Sequence, residues 1–176
     1  MKNEIEIRPI QIGEYQLLGQ LMVTVYSKLD GFPTPEEQPD YYKMLANIGS
    51  LHAQRDTTVL VACAASGELM GGVVYFSDMA MCGSGGTATT EKNASGIRLL
   101  GVAPRFRKAG VGRALTAACI QQARSDGNTQ VILHTTQAMQ NAWKLYATMG
   151  FNRSADLDFT QGALPVFGFR LGLDYT

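Results

Sequence analysis

Apolar and polar residues alternate along this chain with two periods, one typical of strands and the other typical of helices. Alternation over residues 4–8 predicts a first strand, which ends at Pro9. The first helix is predicted from four apolar residues at helical spacing, Leu17, Leu18, Leu21 and Val25. A second apolar stripe predicts another helix over residues 36–51.

Two β-rich apolar runs follow, Thr57–Ala64 and Leu69–Phe76, and the short connection between them contains Gly67. This pattern predicts a pair of antiparallel strands joined by a tight turn. Residues 77–95 then contain Gly, Ser, Thr and Met without periodicity. Because structureless connections of this length are unusual inside a compact domain, we predict a mobile loop near a functional site.

The second half of the chain alternates between strand and helix patterns. Strands are predicted over residues 96–102, 130–135 and 166–171, and helices over residues 110–124 and 138–149. This order predicts an α/β fold, or α+β by a stricter definition, with a mixed sheet and helices on its faces. The length of 176 residues, without a repeat or a linker, predicts a single domain over residues 1–176.

The charges of the chain balance, because lysine plus arginine and aspartate plus glutamate each total 15. No global charge therefore attracts nucleic acid or an anionic membrane, and an anion would need a local site. The first residues lack the apolar core of a signal peptide, and no apolar run approaches bilayer-spanning length. We predict a cytoplasmic protein that binds neither nucleic acid nor membrane.

The three cysteines, Cys63, Cys82 and Cys119, are odd in number and widely spaced, without a C-x-x-C pair. This spacing supports neither a disulfide framework nor a zinc site, so we predict no metal. Cys63 and Cys119 lie in apolar patterns and are expected to be buried. Cys82, in the predicted loop, is a candidate for an exposed thiol.

One segment combines the features of an anion site, since a strand passes through a basic, glycine-containing turn into a helix. Gly110 and Gly112 allow a ligand to approach the amide groups of the first helical turn. The helix dipole and the side chains of Arg107, Lys108 and Arg113 favour negative charge, so a pyrophosphate fits this turn. Alternatively, the glycines only permit tight packing and the basic side chains are solvated.

The segments around this turn match two signatures of one superfamily. Arg107-x-x-Gly110-x-Gly112 resembles the R/Q-x-x-G-x-G/A signature of the GNAT superfamily, whose loop cradles the pyrophosphate of acetyl-CoA. Ala142-x-x-Leu145-Tyr146-x-x-x-Gly150-Phe151 resembles the A-x-x-L-Y-x-x-x-G-F helix ending of that superfamily, and Leu99-Leu-Gly-Val-x-Pro104 matches its preceding strand. Two other phosphate motifs do not fit, because no G-K-S/T follows the glycines and Leu115 replaces the third glycine of a dinucleotide fingerprint.

The resemblance implies a mostly antiparallel central sheet with helices on both faces, and an acetyl-CoA-dependent N-acetyltransferase. The backbone around Leu100 and Val102 would meet the pantetheine arm and the thioester, and the amides of residues 108–113 would meet the pyrophosphate. The implied cofactor-binding residues are Leu100, Val102, Arg107, Lys108, Ala109, Gly110, Val111, Gly112 and Arg113.

The resemblance also implies direct attack of an amine on the thioester. A backbone N–H near Val102 would hold the oxyanion, and Tyr146 would lie near the sulfur, so these two are the implied catalytic residues. A phenol with a pKa of about 10 is a weaker acid than a thiol near 8.5, so we expect Tyr146 to donate a hydrogen bond more than a proton. The base stays unassigned among a water chain and four carboxylates, those of Glu36, Glu37, Asp78 and Glu91.

One position departs from the family pattern. Many members have Asn seven residues before the tyrosine, where this chain has Met139, and the hydroxyl of Thr135 or Thr136 is a candidate replacement. The acceptor is open among polyamine, aminoglycoside, amino acid and protein N-terminus, and a homodimer is one possible assembly. A non-catalytic acyl-CoA-binding regulatory domain of the same fold is the alternative function.

Overall fold

The computed structural model describes residues 4–175. Its α-helices are α1 (Tyr15–Ser27), α2 (Pro39–Ala46), α3 (Val111–Ser125) and α4 (Gln140–Thr148). Its strands are β1 (Ile5–Pro9), β2 (Thr57–Ala64), β3 (Leu69–Phe76), β4 (Ala94–Val102), β5 (Gln130–Thr135), β6 (Asn152–Arg153), β7 (Phe159–Gln161) and β8 (Leu164–Gly172). Within residues 4–175, no helix has both the length and the apolar character needed to cross a membrane.

The strands form one hydrogen-bonded sheet in the order β1-β2-β3-β4-β5-β8-β6, and β7 pairs with β8. β1 is antiparallel to β2, and β5, β6 and β7 are antiparallel to β8. β4 and β5 are parallel, with Ala94–Ile97 opposite Gln130–Leu133. The sheet is therefore mixed and mostly antiparallel, and the predicted fold class is confirmed.

The chain divides into two compact units, one of residues 4–74 and 99–118, the other of residues 75–98 and 119–175. The largest fully buried side chains of the first unit are Leu18, Met22, Leu45, Ile48, Met70 and Leu115. Those of the second unit are Tyr75, Phe76, Met79, Ile132, Leu157 and Phe169. A single domain over residues 1–176 stays a prediction, and residues 1–3 and 176 lie outside the described residues.

Helix α1 buries a different face from the predicted one. Leu17 is 59% exposed, whereas Leu18, Met22 and Tyr26, spaced four residues apart, are buried. A Cβ atom added at Gly19 would lie 2.0 Å from the carbonyl oxygen of Ala46. α1 therefore contacts the end of α2 through Gly19, and this contact turns Leu17 away from the core.

The helix predicted over residues 36–51 is wrong in its bounds. α2 begins at Pro39, whose fixed φ suits the first turn of a helix. It ends at Asn47, whose ψ of 23° leaves the helical range and whose side-chain amide donates to the Lys43 carbonyl at 2.8 Å. A separate 3-10 helix, Ile48–Ala53, follows.

Residues 77–95, predicted as a mobile loop near a functional site, are not wholly irregular, and their mobility stays a prediction. The segment forms two short 3-10 helices, Met79–Met81 and Ala88–Thr90, before it enters β4. A Cβ atom at Gly96 would lie 2.7 Å from the sulfur of Met79 and 3.1 Å from that of Cys82, so the segment packs closely on β4. Cys82 is thus buried rather than exposed, and burial raises the pKa of its thiol.

The other two cysteines agree with the sequence analysis. Cys63 and Cys119 are buried, as predicted. Burial raises the pKa of the Cys119 thiol to about 12, so this group stays a neutral thiol at physiological pH.

Candidate functional site

The turn between β4 and α3 presents a row of free amide groups. Residues 107–110 are exposed, and α3 begins at Val111. Within residues 4–175, no backbone hydrogen bond uses the N–H groups of residues 108–112. The first N–H groups of a helix have no intrahelical acceptor and carry the positive end of its dipole. The turn can therefore donate several hydrogen bonds to one anion.

The backbone of this turn is in the left-handed region at two positions. The φ angles are 64° at Lys108 and 87° at Gly110. Such residues within a turn produce concave arrangements of successive N–H groups, which bind anions. A Cβ atom added at Gly110 would meet no other atom within 4 Å, so the space above the turn is open.

Basic side chains surround these amides. Arg107, Lys108 and Arg113 are all exposed. The side chains of Arg107 and Lys108 make no ion pair or hydrogen bond within the described part of the chain. Two positive charges thus accompany the free amides, an arrangement suited to a phosphate-bearing ligand.

The end of β4 belongs to the same unit as the turn. Leu100 and Val102 follow the part of the strand that is paired with β5. Leu99, directly before them, has a φ angle of 59°, which is rare for leucine. The hydroxyl of Tyr26 donates a hydrogen bond to the carbonyl oxygen of Leu100 at 2.8 Å. Strain and a specific hydrogen bond therefore set the position of Leu100.

Tyr146 lies in the second unit, on α4. Its ring is 5% exposed and packs on Phe151, with the ring centroids 5.7 Å apart. Burial raises the pKa of its phenol well above the usual value. The hydroxyl makes no hydrogen bond to any residue in the described range. Tyr146 is therefore neutral and able to donate a hydrogen bond to a ligand, since its hydroxyl has no partner among residues 4–175.

The two threonines that follow β5 differ in their hydrogen bonds. The Thr135 hydroxyl donates to the Thr136 carbonyl at 3.3 Å. The Thr136 hydroxyl is buried and has no partner among residues 4–175. Of the two candidates that could replace the asparagine absent at Met139, only Thr136 therefore keeps an unused hydroxyl.

Replacing Thr136 with valine should raise the free energy of unfolding of the ligand-free protein by about 1 kcal/mol, because it removes a buried hydroxyl that lacks a hydrogen bond. Thermal unfolding should show a rise in Tm of about 2–4 °C for a chain of this size. Thr135→Val, which removes a hydroxyl that is hydrogen-bonded, is the matched control and should lower the Tm. A less stable Thr136→Val protein would contradict this prediction.

The segment that carries these groups matches a family model. Residues 22–151 match the model of the acetyltransferase (GNAT) family, and this range contains β4, the basic turn, α3 and α4. The chain belongs to the GNAT acetyltransferase family. The family resemblance inferred from the two motifs is confirmed.

One curated relative shares a short segment with this GNAT protein. A stretch of 57 residues is 42% identical to the mycothiol acetyltransferase of Thermobispora bispora. It covers 32% of this chain and 19% of that protein, so the match spans only about a fifth of the relative's length.

Solved structures share the fold over nearly the whole chain. The acetyltransferase of the GNAT family from Staphylococcus aureus Mu50 has a TM-score of 0.74 at 16% identity, over 97% of this chain and 100% of that chain. The PaiA N-acetyltransferase from Thermoplasma acidophilum, in complex with coenzyme A, has a TM-score of 0.69 at 17% identity, over 94% and 98% of the two chains. At these identities the likeness concerns the fold alone.

Most candidate bases of this GNAT protein already have structural roles. The Asp78 carboxylate accepts the Ala80 N–H at 2.9 Å, and the Glu91 carboxylate pairs with Arg170 at 2.8 Å. The Glu37 carboxylate accepts the Thr34 hydroxyl at 3.1 Å. Glu36 is exposed. The structure therefore singles out no general base.

Neither of the two histidines stands out as a general base. A ring nitrogen of His134 lies 3.0 Å from the Leu157 carbonyl oxygen, and burial lowers the pKa of that imidazole, so this histidine has a structural contact within the sheet. His52 accepts the Val59 N–H at 3.0 Å. Within the described range, no group of three or more His, Cys, Asp or Glu side chains could hold a metal ion.

Sequence analysis missed two features of this site. Leu99 gives no sign of its left-handed backbone, because leucine normally avoids that region. Tyr26 was not singled out, since its hydrogen bond to Leu100 joins residues 74 positions apart. The only local signal was the position of Tyr26 on the apolar side of a helix, which is typical of a buried residue.

Proposed function

We propose that this chain is an N-acetyltransferase that moves the acetyl group of acetyl-CoA to a primary amine by direct attack. The observation that carries the proposal is the exposed turn of residues 107–110 with the start of α3, which together offer unused N–H groups and basic side chains. Family membership and the family's two sequence motifs support the same activity.

The turn is the proposed site for the pyrophosphate. The N–H groups of residues 108–112 would donate to phosphate oxygens, and Arg107, Lys108 and Arg113 would balance the charge. Gly110 fits this role for two reasons. It adopts a φ angle that other residues reach only with strain, and it leaves the surface above the amides open.

The end of β4 is the proposed site for the acyl arm. Acetyl-CoA supplies a thioester whose carbonyl carbon bonds to the amine nitrogen while the C–S bond breaks, giving an amide and the free thiol of CoA. The backbone at Leu100 and Val102 would orient the arm. The N–H near Val102 would donate to the carbonyl oxygen as negative charge develops there.

Tyr146 is the proposed donor to the departing sulfur. Its buried phenol stays protonated because burial raises its pKa, and a hydrogen bond to a thiolate would satisfy its hydroxyl. Full transfer of the phenolic proton to sulfur is uphill, since the phenol is the weaker acid. Tyr146 would therefore stabilise the leaving group mainly by hydrogen bonding.

The acceptor must lose a proton before it attacks. A lysine-like ammonium costs roughly 4–5 kcal/mol to deprotonate at neutral pH, whereas an α-amino group near pKa 8 costs about 1 kcal/mol. A water chain or one of the acidic side chains would carry this proton away.

We further propose that the chain is a single catalytic domain, that it is located in the cytoplasm and that it forms a homodimer.

Acetyl-CoA binding tests the proposal directly. At about ten times its Kd, acetyl-CoA should add about 1.4 kcal/mol of apparent stability and raise the Tm by about 3–6 °C. Gly110→Ala should weaken this binding by about 10-fold, because the added methyl strains and obstructs the turn. At the same ligand concentration, its Tm shift should therefore fall to about 1 °C.

Gly67→Ala is the matched control for backbone strain. Gly67 has a φ angle of 88°, close to that of Gly110, and an added Cβ atom there also meets nothing within 4 Å. Both variants should lose about 1 kcal/mol of stability, but only Gly110→Ala should show the reduced response to acetyl-CoA. A wild-type protein that acetyl-CoA does not stabilise would overturn the proposed function.

A further inference from the structure

A cluster of aromatic rings joins α4 to β8 within the second unit. We define the Trp143 cluster as Trp143 on α4 together with Phe167 and Phe169 on β8. The centroid of the Trp143 ring lies 5.3 Å from that of Phe167 and 5.1 Å from that of Phe169. Phe167 and Phe169 share one face of the sheet, because side chains two residues apart along a strand point the same way. The cluster therefore packs α4 on that face.

One arginine side chain covers all three rings. The guanidinium carbon of Arg153 lies 5.1 Å from the ring centroid of Phe167, 5.6 Å from that of Phe169 and 5.9 Å from that of Trp143. A guanidinium within about 6 Å of an aromatic centroid is attracted by the charge distribution of the ring. Arg153 thus contacts the helix side and the strand side of the Trp143 cluster at the same time.

Asp158 and Gly168 fix the position of this guanidinium. Its two terminal nitrogens donate to the two carboxylate oxygens of Asp158, each at 2.8 Å, and one of them also donates to the Gly168 carbonyl oxygen at 2.8 Å. The Gly168 N–H in turn donates to Asp158 at 2.7 Å. Exposed ion pairs generally contribute little, but a bidentate pair within a network is an exception. Although the Arg153 side chain is 35% exposed, these hydrogen bonds therefore define its position.

The same stretch of chain also contacts Tyr146. The ring of Phe151, two residues before Arg153, packs on that of Tyr146 with the centroids 5.7 Å apart, and the Phe151 N–H donates to the Tyr146 carbonyl oxygen at 3.0 Å. Trp143 lies on α4 three residues before Tyr146, and residues at this spacing are neighbours on the surface of a helix. The chain from Phe151 to Arg153 therefore holds α4 at both residues.

α4 depends on such contacts to keep Tyr146 in place. The helix has only nine residues, and the side chain of its N-cap residue, Met139, makes no capping hydrogen bond. Helices shorter than about 12 residues are marginal on their own, so packing supplies most of their stability. Because the Tyr146 hydroxyl has no partner among residues 4–175, no hydrogen bond within that range orients the phenol. The position of the phenol then follows from the helix and from Phe151.

We propose that Arg153 is a positioning residue, which acts through the Trp143 cluster and α4 to hold the Tyr146 phenol where it donates to the departing sulfur. This inference rests on the proposed role of Tyr146 in acetyl transfer. Without Arg153, α4 is free to shift on β8 and the hydroxyl moves with it. A small displacement of a group that acts in the transition state lowers the rate of the chemical step more than it lowers substrate binding.

Arg153→Leu tests the inference. The amine is chosen from one member of each open acceptor class (spermidine, kanamycin, free lysine and trialanine) as the one that releases CoA fastest from the wild type. With this amine, kcat should fall by about 10-fold or more, whereas KM for the amine and Kd for acetyl-CoA should change by less than about 2-fold. Trp143 is the only tryptophan of the chain, so its fluorescence reports on the cluster, and its emission should shift to longer wavelength.

Two further variants separate positioning from a general loss of stability. Arg153→Lys keeps a positive charge above the rings but cannot form the bidentate pair, so kcat should recover to within about 3-fold of the wild type. Arg8→Leu is the matched control. Arg8, in the first unit, pairs with both carboxylate oxygens of Glu14 at 2.8 and 2.9 Å, and its side chain is 24% exposed. Arg8→Leu should lower the Tm about as much as Arg153→Leu does and leave kcat unchanged.

A double mutant decides whether Arg153 acts through Tyr146. In the Tyr146→Phe background, Arg153→Leu should cost little further kcat, because the hydroxyl that Arg153 positions is already absent. Independent losses that multiply would overturn the inference. An unchanged kcat in Arg153→Leu, or a loss of kcat that Arg8→Leu shares, would overturn it as well. If Arg153→Leu does not fold, Asp158→Asn, which weakens the pair and keeps the guanidinium, takes its place in the same set of measurements.

Failure of this inference and failure of the proposed function give different results. If acetyl-CoA causes no Tm shift, the coenzyme site itself is wrong. If acetyl-CoA binds but none of the four amines releases CoA, the inference is overturned and the chain acts as an acyl-CoA-binding domain. If Tyr146→Phe lowers kcat and Arg153→Leu does not, acetyl transfer stands and only the positioning role of Arg153 is removed.

Discussion

Replacing Tyr146 with phenylalanine should lower kcat by about 100-fold or more, with little change in the stability of the ligand-free protein. The phenol makes no hydrogen bond in the described part of the chain, so its removal costs no protein contact. Loss of a donor to charge that develops during the reaction typically costs about 100- to 1,000-fold. CoA release at saturating acetyl-CoA and amine measures the change.

Tyr75→Phe is the matched control for this experiment. Tyr75 is also buried in the second unit, but its hydroxyl lies 2.6 Å from Asp126 and 2.8 Å from the hydroxyl of Ser95. Its removal should lower the free energy of unfolding by about 1–3 kcal/mol and leave kcat near that of the wild type. A Tyr146→Phe protein with full kcat would exclude the tyrosine from the chemistry.

Gly71→Ala should reduce the free energy of unfolding by about 3 kcal/mol and also weaken acetyl-CoA binding. The new Cβ atom would lie 2.5 Å from the Gly101 carbonyl oxygen and 3.2 Å from the Cα atom of Val102. Both are backbone atoms, so β3 and β4 must separate, at the upper end of the usual overpacking cost. Thermal unfolding should show a loss of about 6–12 °C in Tm.

Gly13→Ala controls for the loss of a glycine. An added Cβ atom at Gly13 would meet nothing within 4 Å, so this variant should change stability by no more than about 0.5 kcal/mol. If Gly71→Ala were as stable as Gly13→Ala, the close contact of β3 with β4 would be wrong.

The sequence predicted most strands well because their pattern is local. Thr57–Ala64, Leu69–Phe76 and Gln130–Thr135 match the observed strands residue for residue, since each is an apolar run bounded by polar or turn-forming residues. The sequence did not predict β6 and β7, which are two and three residues long. Segments this short have no period of their own and become strands only by pairing with β8.

The predictions of the buried face of α1 and of an irregular segment over residues 77–95 failed for the same physical reason. Leu17 fits a helical stripe, but the contact of Gly19 with Ala46 decides which face of α1 is buried. Residues 77–95 look irregular in sequence, yet Met79 and Cys82 are buried against β4. In both cases a contact between residues distant in sequence overrides the local pattern.

By itself, the sequence determined the family, the order of most elements and the basic turn of residues 107–113, because strand, turn and helix signals are local and consecutive. Tertiary structure decided which polar groups were left without partners. The free hydroxyls of Thr136 and Tyr146, and the hydrogen bond from Tyr26 to Leu100, depend on burial and on distant neighbours. No pattern along the chain encodes these relations, since each is set by what the folded chain places around a side chain.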